Sequence, residues 1–171
     1  MPELARRGQF LQAQGTAEWP DETIVTYYSF LHALYQKVTY ERIPMGRCVT
    51  LHQRVGERIE AAYGQRASEI AAELAMHFEQ GRNYHKAVQY LQHAGQNAVQ
   101  RSAHQEAVTL LTRGLELLKT APDTPEHTQQ ELALQTTLGP ALIAVKGYTS
   151  PEVEGVYNRA LELCRQMGET L

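Results

Sequence analysis

Apolar residues recur at helical spacing over most of this chain, most densely from Ser68 to Leu118. The period predicts helices at roughly 67–80, 84–100, 103–119, 126–145 and 150–167. Polar corners at Glu79–Asn83 and Arg101–Ser102 separate the first three. Small residues (Ala75, Ala87, Ala94, Gly95, Ala98, Ala107, Gly114) stand where neighbouring helices would cross, and Leu74, Phe78, Tyr84, Leu91 and Leu111 fill the gaps. No single hairpin of this kind hides its own apolar face, so the helices are expected to stack in sequence.

Local signals mark the joints. Ser102 is the expected cap of the third helix, and Asp123 or Thr124 of the fourth. Gly139-Pro140 predicts a kink or break in the fourth. Ser150 and Pro151 read as cap and first helical residue of the fifth. Ala87 and Ala107 are equivalent by pattern yet closer than the tetratricopeptide period of about 34 residues. The helix over 84–100 is therefore expected to serve two successive hairpins.

The first third of the chain differs. Gln9 to Ala13 and Ile24 to Ser29 are strand candidates. Gly15 and Pro20-Asp21-Glu22 supply turn chemistry, giving a hairpin with a long tip that carries Trp19. A lone hairpin is marginal in water, so it must lean on the helices C-terminal to it. Phe30 to Tyr40 has helical spacing with Leu31, Leu34, Tyr35 and Val38 on one face. Pro44 opens a helix that Gly64 ends, its inner face formed by Cys48, Leu51, His52, Val55, Ile59 and Ala62. Both termini read as cut, which predicts a fragment of a larger protein.

Composition narrows the partners. A formal charge of −3 gives no electrostatic reason to expect nucleic acid or an anionic membrane. No segment is long and apolar enough to span a bilayer, and no secretory leader is evident. Two cysteines far apart, Cys48 and Cys164, suit buried thiols in a reducing compartment, so the cytoplasm is the expected location.

Chemistry-bearing motifs are sparse. There is no phosphate-binding glycine loop with its lysine, and no zinc-type cysteine or histidine spacing. Cys48 and His52 lie one turn apart and offer at most two metal ligands; a buried face is the plainer reading. His85 and His93 read as surface or groove residues, Ser102-Ala103-His104 as a helix start rather than a dyad, and Glu73, Glu79 and Glu106 as solvated carboxylates. Arg47, Arg54 and Arg58 form a row that would face phosphate or an acidic partner, or simply water. His32, opening a helix after a strand, reads as a packed or capping residue, or as one that meets a phosphate on a neighbouring domain.

Several runs together resemble a known family. Phe30 to Gln36, Tyr40 to Pro44 and Leu51 to Arg58 resemble the bacterial signal-transduction STAND ATPases. Leu4 to Leu11 and Gly15 to Asp21 resemble the end of that family's winged-helix domain and its wing. Ile70 to Glu79 through Leu111 to Leu117 resemble its tetratricopeptide-like region. The resemblance implies a nucleotide-controlled switch: a core that binds ATP or ADP with Mg, a winged helix that closes on it, and an array that senses a ligand. It assigns phosphate sensing to His32. The core itself is missing here, so no cofactor and no catalysis are expected of this chain.

The expected architecture is thus mainly α: a tetratricopeptide-like array of helical hairpins over 65–171, preceded over 1–64 by a short β-hairpin and two helices of a partial winged-helix domain. The expected function is regulatory binding of a protein, a peptide or the missing ATPase core. Tyr84, Gln89, Tyr90, His93 and Arg101 are the candidate contacts. The alternative is a DNA-binding regulator fragment, although its recognition helix would precede Met1.

Overall fold

The computed structural model describes residues 10–120 and 125–168. The fold is mainly α, with a short two-stranded antiparallel hairpin ahead of the helices. Strands β1 (Leu11–Glu18) and β2 (Ile24–Phe30) are followed by α1 (Ala33–Glu41) and α2 (Met45–Tyr63). A 3-10 turn, Gly64–Ile70, leads into α3 (Ala71–Gln80), α4 (Tyr84–Gln100), α5 (His104–Leu118), α6 (Pro125–Lys146) and α7 (Pro151–Gln166). Each helix from α2 onward packs on the next, and α4 also touches α6. α4 is shared between two hairpins, as its pattern implied.

The stack closes because small residues form notches. A Cβ on Gly95 of α4 would lie 2.6 Å from Cγ of Leu111 on α5. On Gly114 of α5 it would meet Leu134 of α6 at 3.0 Å, and on Gly139 of α6 the Tyr157 ring of α7 at 2.8 Å. Gly56 of α2 receives the edge of Phe78 from α3 at 3.2 Å. Leu111, Leu134 and Phe78 are fully buried, so three of the four notches are filled by core side chains; Tyr157, at Gly139, is partly exposed. Phe78 also stacks on Tyr90, ring centroids 5.6 Å apart.

Two corners repeat the same joint. At Arg82 and Ser102 the backbone is left-handed, φ 58° and 59°. The next amide, of Asn83 or Ala103, donates 2.8 Å to the carbonyl of Phe78 or Ala98. Ser102 is therefore the reversal residue and not the cap; Ala103 holds the cap position without a side-chain bond. Asn83 does cap α4, accepting from the Lys86 amide at 3.3 Å. Ser150 sits at the cap of α7, but its hydroxyl turns to Glu152 at 2.5 Å. The Asp123 or Thr124 cap lies outside the described residues. α6 runs unbroken through Gly139-Pro140, with Pro140 exposed, so of the expected kink or break no break occurs.

The hairpin departs from expectation in its tip. Gly15 is not a turn residue; it lies within β1 at a register shift between Ala13 and Gly15, with φ 129°. The reversal is confined to Trp19–Thr23. Arg58 of α2 anchors it: Nη1 is 2.8 Å from Asp21, Nη2 donates 2.8 Å to Thr23, and the guanidinium covers the Trp19 ring. Arg58 thus supports the hairpin and leaves the predicted arginine row.

The notches generate a stability test. Gly95→Ala adds overpacking of about 1–3 kcal/mol against roughly 1 kcal/mol gained in helix propensity. A net loss of about 1 kcal/mol is expected in urea unfolding. Gly155→Ala, where nothing lies within 4 Å of the added Cβ, is expected to have the opposite sign.

Candidate functional site

A line of polar side chains crosses α1, α2 and α3. The Cys48 thiol donates to the Tyr40 hydroxyl oxygen at 3.1 Å. That hydroxyl lies 3.0 Å from His52 Nε2, and His52 Nδ1 lies 3.0 Å from His77 Nδ1. The directions follow from the donors. With the thiol proton on Tyr40, the phenol proton goes to His52 Nε2, so His52 carries its own proton on Nδ1 and donates to His77. The proton of neutral His77 is then on Nε2.

Local sequence explains the placement. Tyr40 lies in the last turn of α1, four residues before Pro44 opens α2, which turns its ring back over the first turns of α2. Cys48 and His52 are one helical turn apart and share a face. His77 reaches them because α2 and α3 close at Gly56, whose added Cβ would stand 3.3 Å from Cβ of His77. Burial and then the neighbouring His52 hold His77 below the ordinary histidine range, with Glu73 opposing.

Tyr40 and Cys48 open on a cavity of about 800 Å³ whose lining is drawn from α1 through α5. Its walls mix apolar groups (Ile43, Val49, Leu117) with Glu79, Arg82 and Arg113. Arg113 is committed to Glu79 and Glu116, so Glu79 is an ion-pair partner and not simply a solvated carboxylate. Arg82 rests against the Met45 sulfur at 3.7 Å. The thiol faces a phenol, and among the described residues no base is hydrogen-bonded to it, an arrangement that does not activate it as a nucleophile. Among the described residues no group of three or more His, Cys, Asp or Glu is placed to hold a metal ion. What the row does provide is a one-way chain of proton donors between cavity and α2–α3 seam.

The predicted partner residues do not converge. Tyr84 lines this cavity, whereas Arg101 borders a different one with Asn97 and Glu106. Gln89 is exposed and His93 half-buried. Tyr90 corrects the expectation: it is buried, its hydroxyl donates 2.8 Å to Glu60, and burial followed by that carboxylate raises its phenol strongly. It braces α4 against α2 and is closed to a partner. His32 lies at the N-cap of α1, where Nδ1 accepts from the Leu34 amide at 3.0 Å. His85 is near Gln130 at 3.3 Å, and Glu106 pairs with Arg101. His104 makes no dyad with Ser102; its Nδ1 is buried with no hydrogen-bond partner among the described residues. Nothing in the sequence singles out Tyr40 or His77 for this row. The one legible hint is the Cys48–His52 spacing.

No family model and no solved structure matches the chain. An uncharacterized protein of Rhizobium meliloti (strain 1021) is 29% identical over 141 residues, 82% of this chain. The match spans 14% of that relative's length. Among the described residues no helix is long and apolar enough to cross a membrane.

The histidine pair sets a pH dependence. The folded state holds His77 neutral where the unfolded chain takes up a proton, so stability falls as pH drops below about 6.5. Protonating Nδ1 of His77 also places it against the Nδ1 proton of His52. The urea midpoint is expected to decline between about pH 7 and 5.5, and His77→Gln is expected to flatten that decline.

Proposed function

We propose that the chain is a regulatory, protein-interaction module of a nucleotide-switched signalling ATPase, and that it docks through the hairpin and α1. The observation that carries this reading is the face of α1. Its apolar stripe, Leu31, Leu34, Tyr35 and Val38, is 51%, 56%, 39% and 39% exposed, and no residue of the helix is buried. The sequence pattern puts these four residues on one face; within the described residues nothing covers it. Phe10 extends the patch, its ring edge-on to Tyr35 at 5.1 Å. Contiguous exposed apolar surface of this kind marks interaction sites.

His32 borders the same patch. Because its Nδ1 accepts from the backbone, the neutral ring carries its proton on Nε2, away from the helix. That donor suits a phosphate on a docked partner, the role the resemblance to STAND ATPases implies. In this reading the partial winged helix closes on an ATP- or ADP-loaded core with Mg, and the tetratricopeptide-like stack receives the signal. In this reading the nucleotide site and the catalysis belong to the ATPase core and not to this chain. DNA binding has weaker support, since Arg58 is spent on the hairpin.

The test is titration of the chain against an isolated P-loop domain of a STAND-class ATPase, loaded with ADP or with ATP. Binding stronger in one nucleotide state is expected. Leu34→Asp is expected to weaken it at least ten-fold (on the order of 1.4 kcal/mol) with an unchanged melting temperature, and His32→Ala to remove the nucleotide preference. Equal binding by Leu34→Asp, or no binding in either state, overturns the reading.

A further inference from the structure

The two histidines that join α2 to α3 present like atoms to each other. His52 Nδ1 stands 3.0 Å from His77 Nδ1. A shared proton accounts for that approach, and a shared cation fits the same spacing. Nitrogens bound to one ion at about 2.05 Å stand about 2.9 Å apart at right-angled positions and about 3.3 Å apart at tetrahedral ones. Both side chains are half-buried. Their helices are held together at Gly56, whose added Cβ would stand 3.3 Å from Cβ of His77. The pair is therefore set by packing and does not have to be assembled by a ligand.

The surroundings suit a cation. An imidazole that binds metal through one nitrogen normally donates its other N–H to an oxygen, which fixes the ring and its tautomer. His52 has that partner in place, with Nε2 3.0 Å from the Tyr40 hydroxyl. Loading moves the His52 proton from Nδ1 to Nε2, where it is donated to Tyr40. The phenol proton then turns to the Cys48 sulfur, 3.1 Å away, and the thiol proton turns aside. His77 already carries its proton on Nε2, so no proton leaves the row. Burial favours neutral His77, the form that ligates. Glu73 adds charge of the right sign. It stands one turn before His77 on α3, is exposed, and is close enough to act on the charge of His77. Among the described residues it has no ion-pair partner. It is not placed as a third ligand, so water completes the coordination.

We propose that His52 and His77 form a two-nitrogen site for a divalent first-row transition ion such as zinc, which clamps α2 to α3. Imidazole nitrogen suits such ions, whereas magnesium and calcium take oxygen. An ion bound by the folded chain alone stabilises it as the ion concentration rises above the dissociation constant. Neither ligand belongs to the apolar stripe of α1, so zinc binding and docking through α1 are tested separately.

The experiment is thermal melting of the full chain, carrying no histidine tag, at about pH 7.5 with added zinc chloride. At about a hundred times the dissociation constant the melting temperature is expected to rise by roughly 5–10 °C. The rise is expected to be reversed by EDTA and absent with magnesium. His52→Gln and His77→Gln are each expected to abolish it. Tyr40→Phe, which removes only the outer partner of His52, is expected to weaken zinc binding about 10–100-fold. No rise, an equal rise with magnesium, or a rise that survives in either glutamine variant, as binding by the other histidines would give, overturns the proposal. Should a glutamine variant fail to fold, zinc held by Tyr40→Phe as tightly as by the parent chain overturns it.

Discussion

Closeness of helix backbones is the constraint on which the rest depends. Gly56, Gly95, Gly114 and Gly139 each receive a large side chain from the following helix. With a side chain in those places the helices separate, and Phe78, Leu111 and Leu134 lose the contacts that make them core. The same approach positions polar groups. Once α2 and α3 meet at Gly56, His52 and His77 are within a hydrogen bond of each other. Gly81, in the α3–α4 corner, presses against the backbone of α2, where an added Cβ would stand 2.9 Å from the Gln53 nitrogen. Packing and the polar row therefore have one geometric origin.

The hairpin and α1 are held differently. They contribute little to the main core and are tied to α2 by directed contacts: Arg58 on Asp21, Thr23 and Trp19, and Tyr40 on Cys48 and His52. Individual exposed ion pairs add little stability. A unit fastened this way and showing an uncovered apolar stripe is suited to engage a further surface, whereas the stack behind it is closed around its own core.

Much of this fold was legible because its signals are local. The spacing placed α4, α5, α6 and α7 within one residue at each end. Where sequence and structure part, the deciding contact is distant or the residue has two uses. Gly15 carries turn chemistry, but here serves an irregular strand. Ser102 has the composition of a cap, yet the corner needs a left-handed residue there. Periodicity shows that α1 has an apolar face and cannot show that no described element covers it. Of the polar row, only Cys48 and His52 share a helix; Tyr40 and His77 join through the crossing of three helices, which no spacing encodes. Gly139 has the composition of a helix breaker, although its backbone makes room for Tyr157.

The neighbour-to-neighbour packing of α2 through α7 has a kinetic consequence. Most contacts join segments close in sequence, so little loop entropy is lost before a contact forms, and the chain belongs to the rapidly folding, low-contact-order class. Assembly can begin at any adjoining pair and spread outward in both directions. Among the described residues α7 packs chiefly on α6, so of these helices it is the first expected to fray under tension or denaturant.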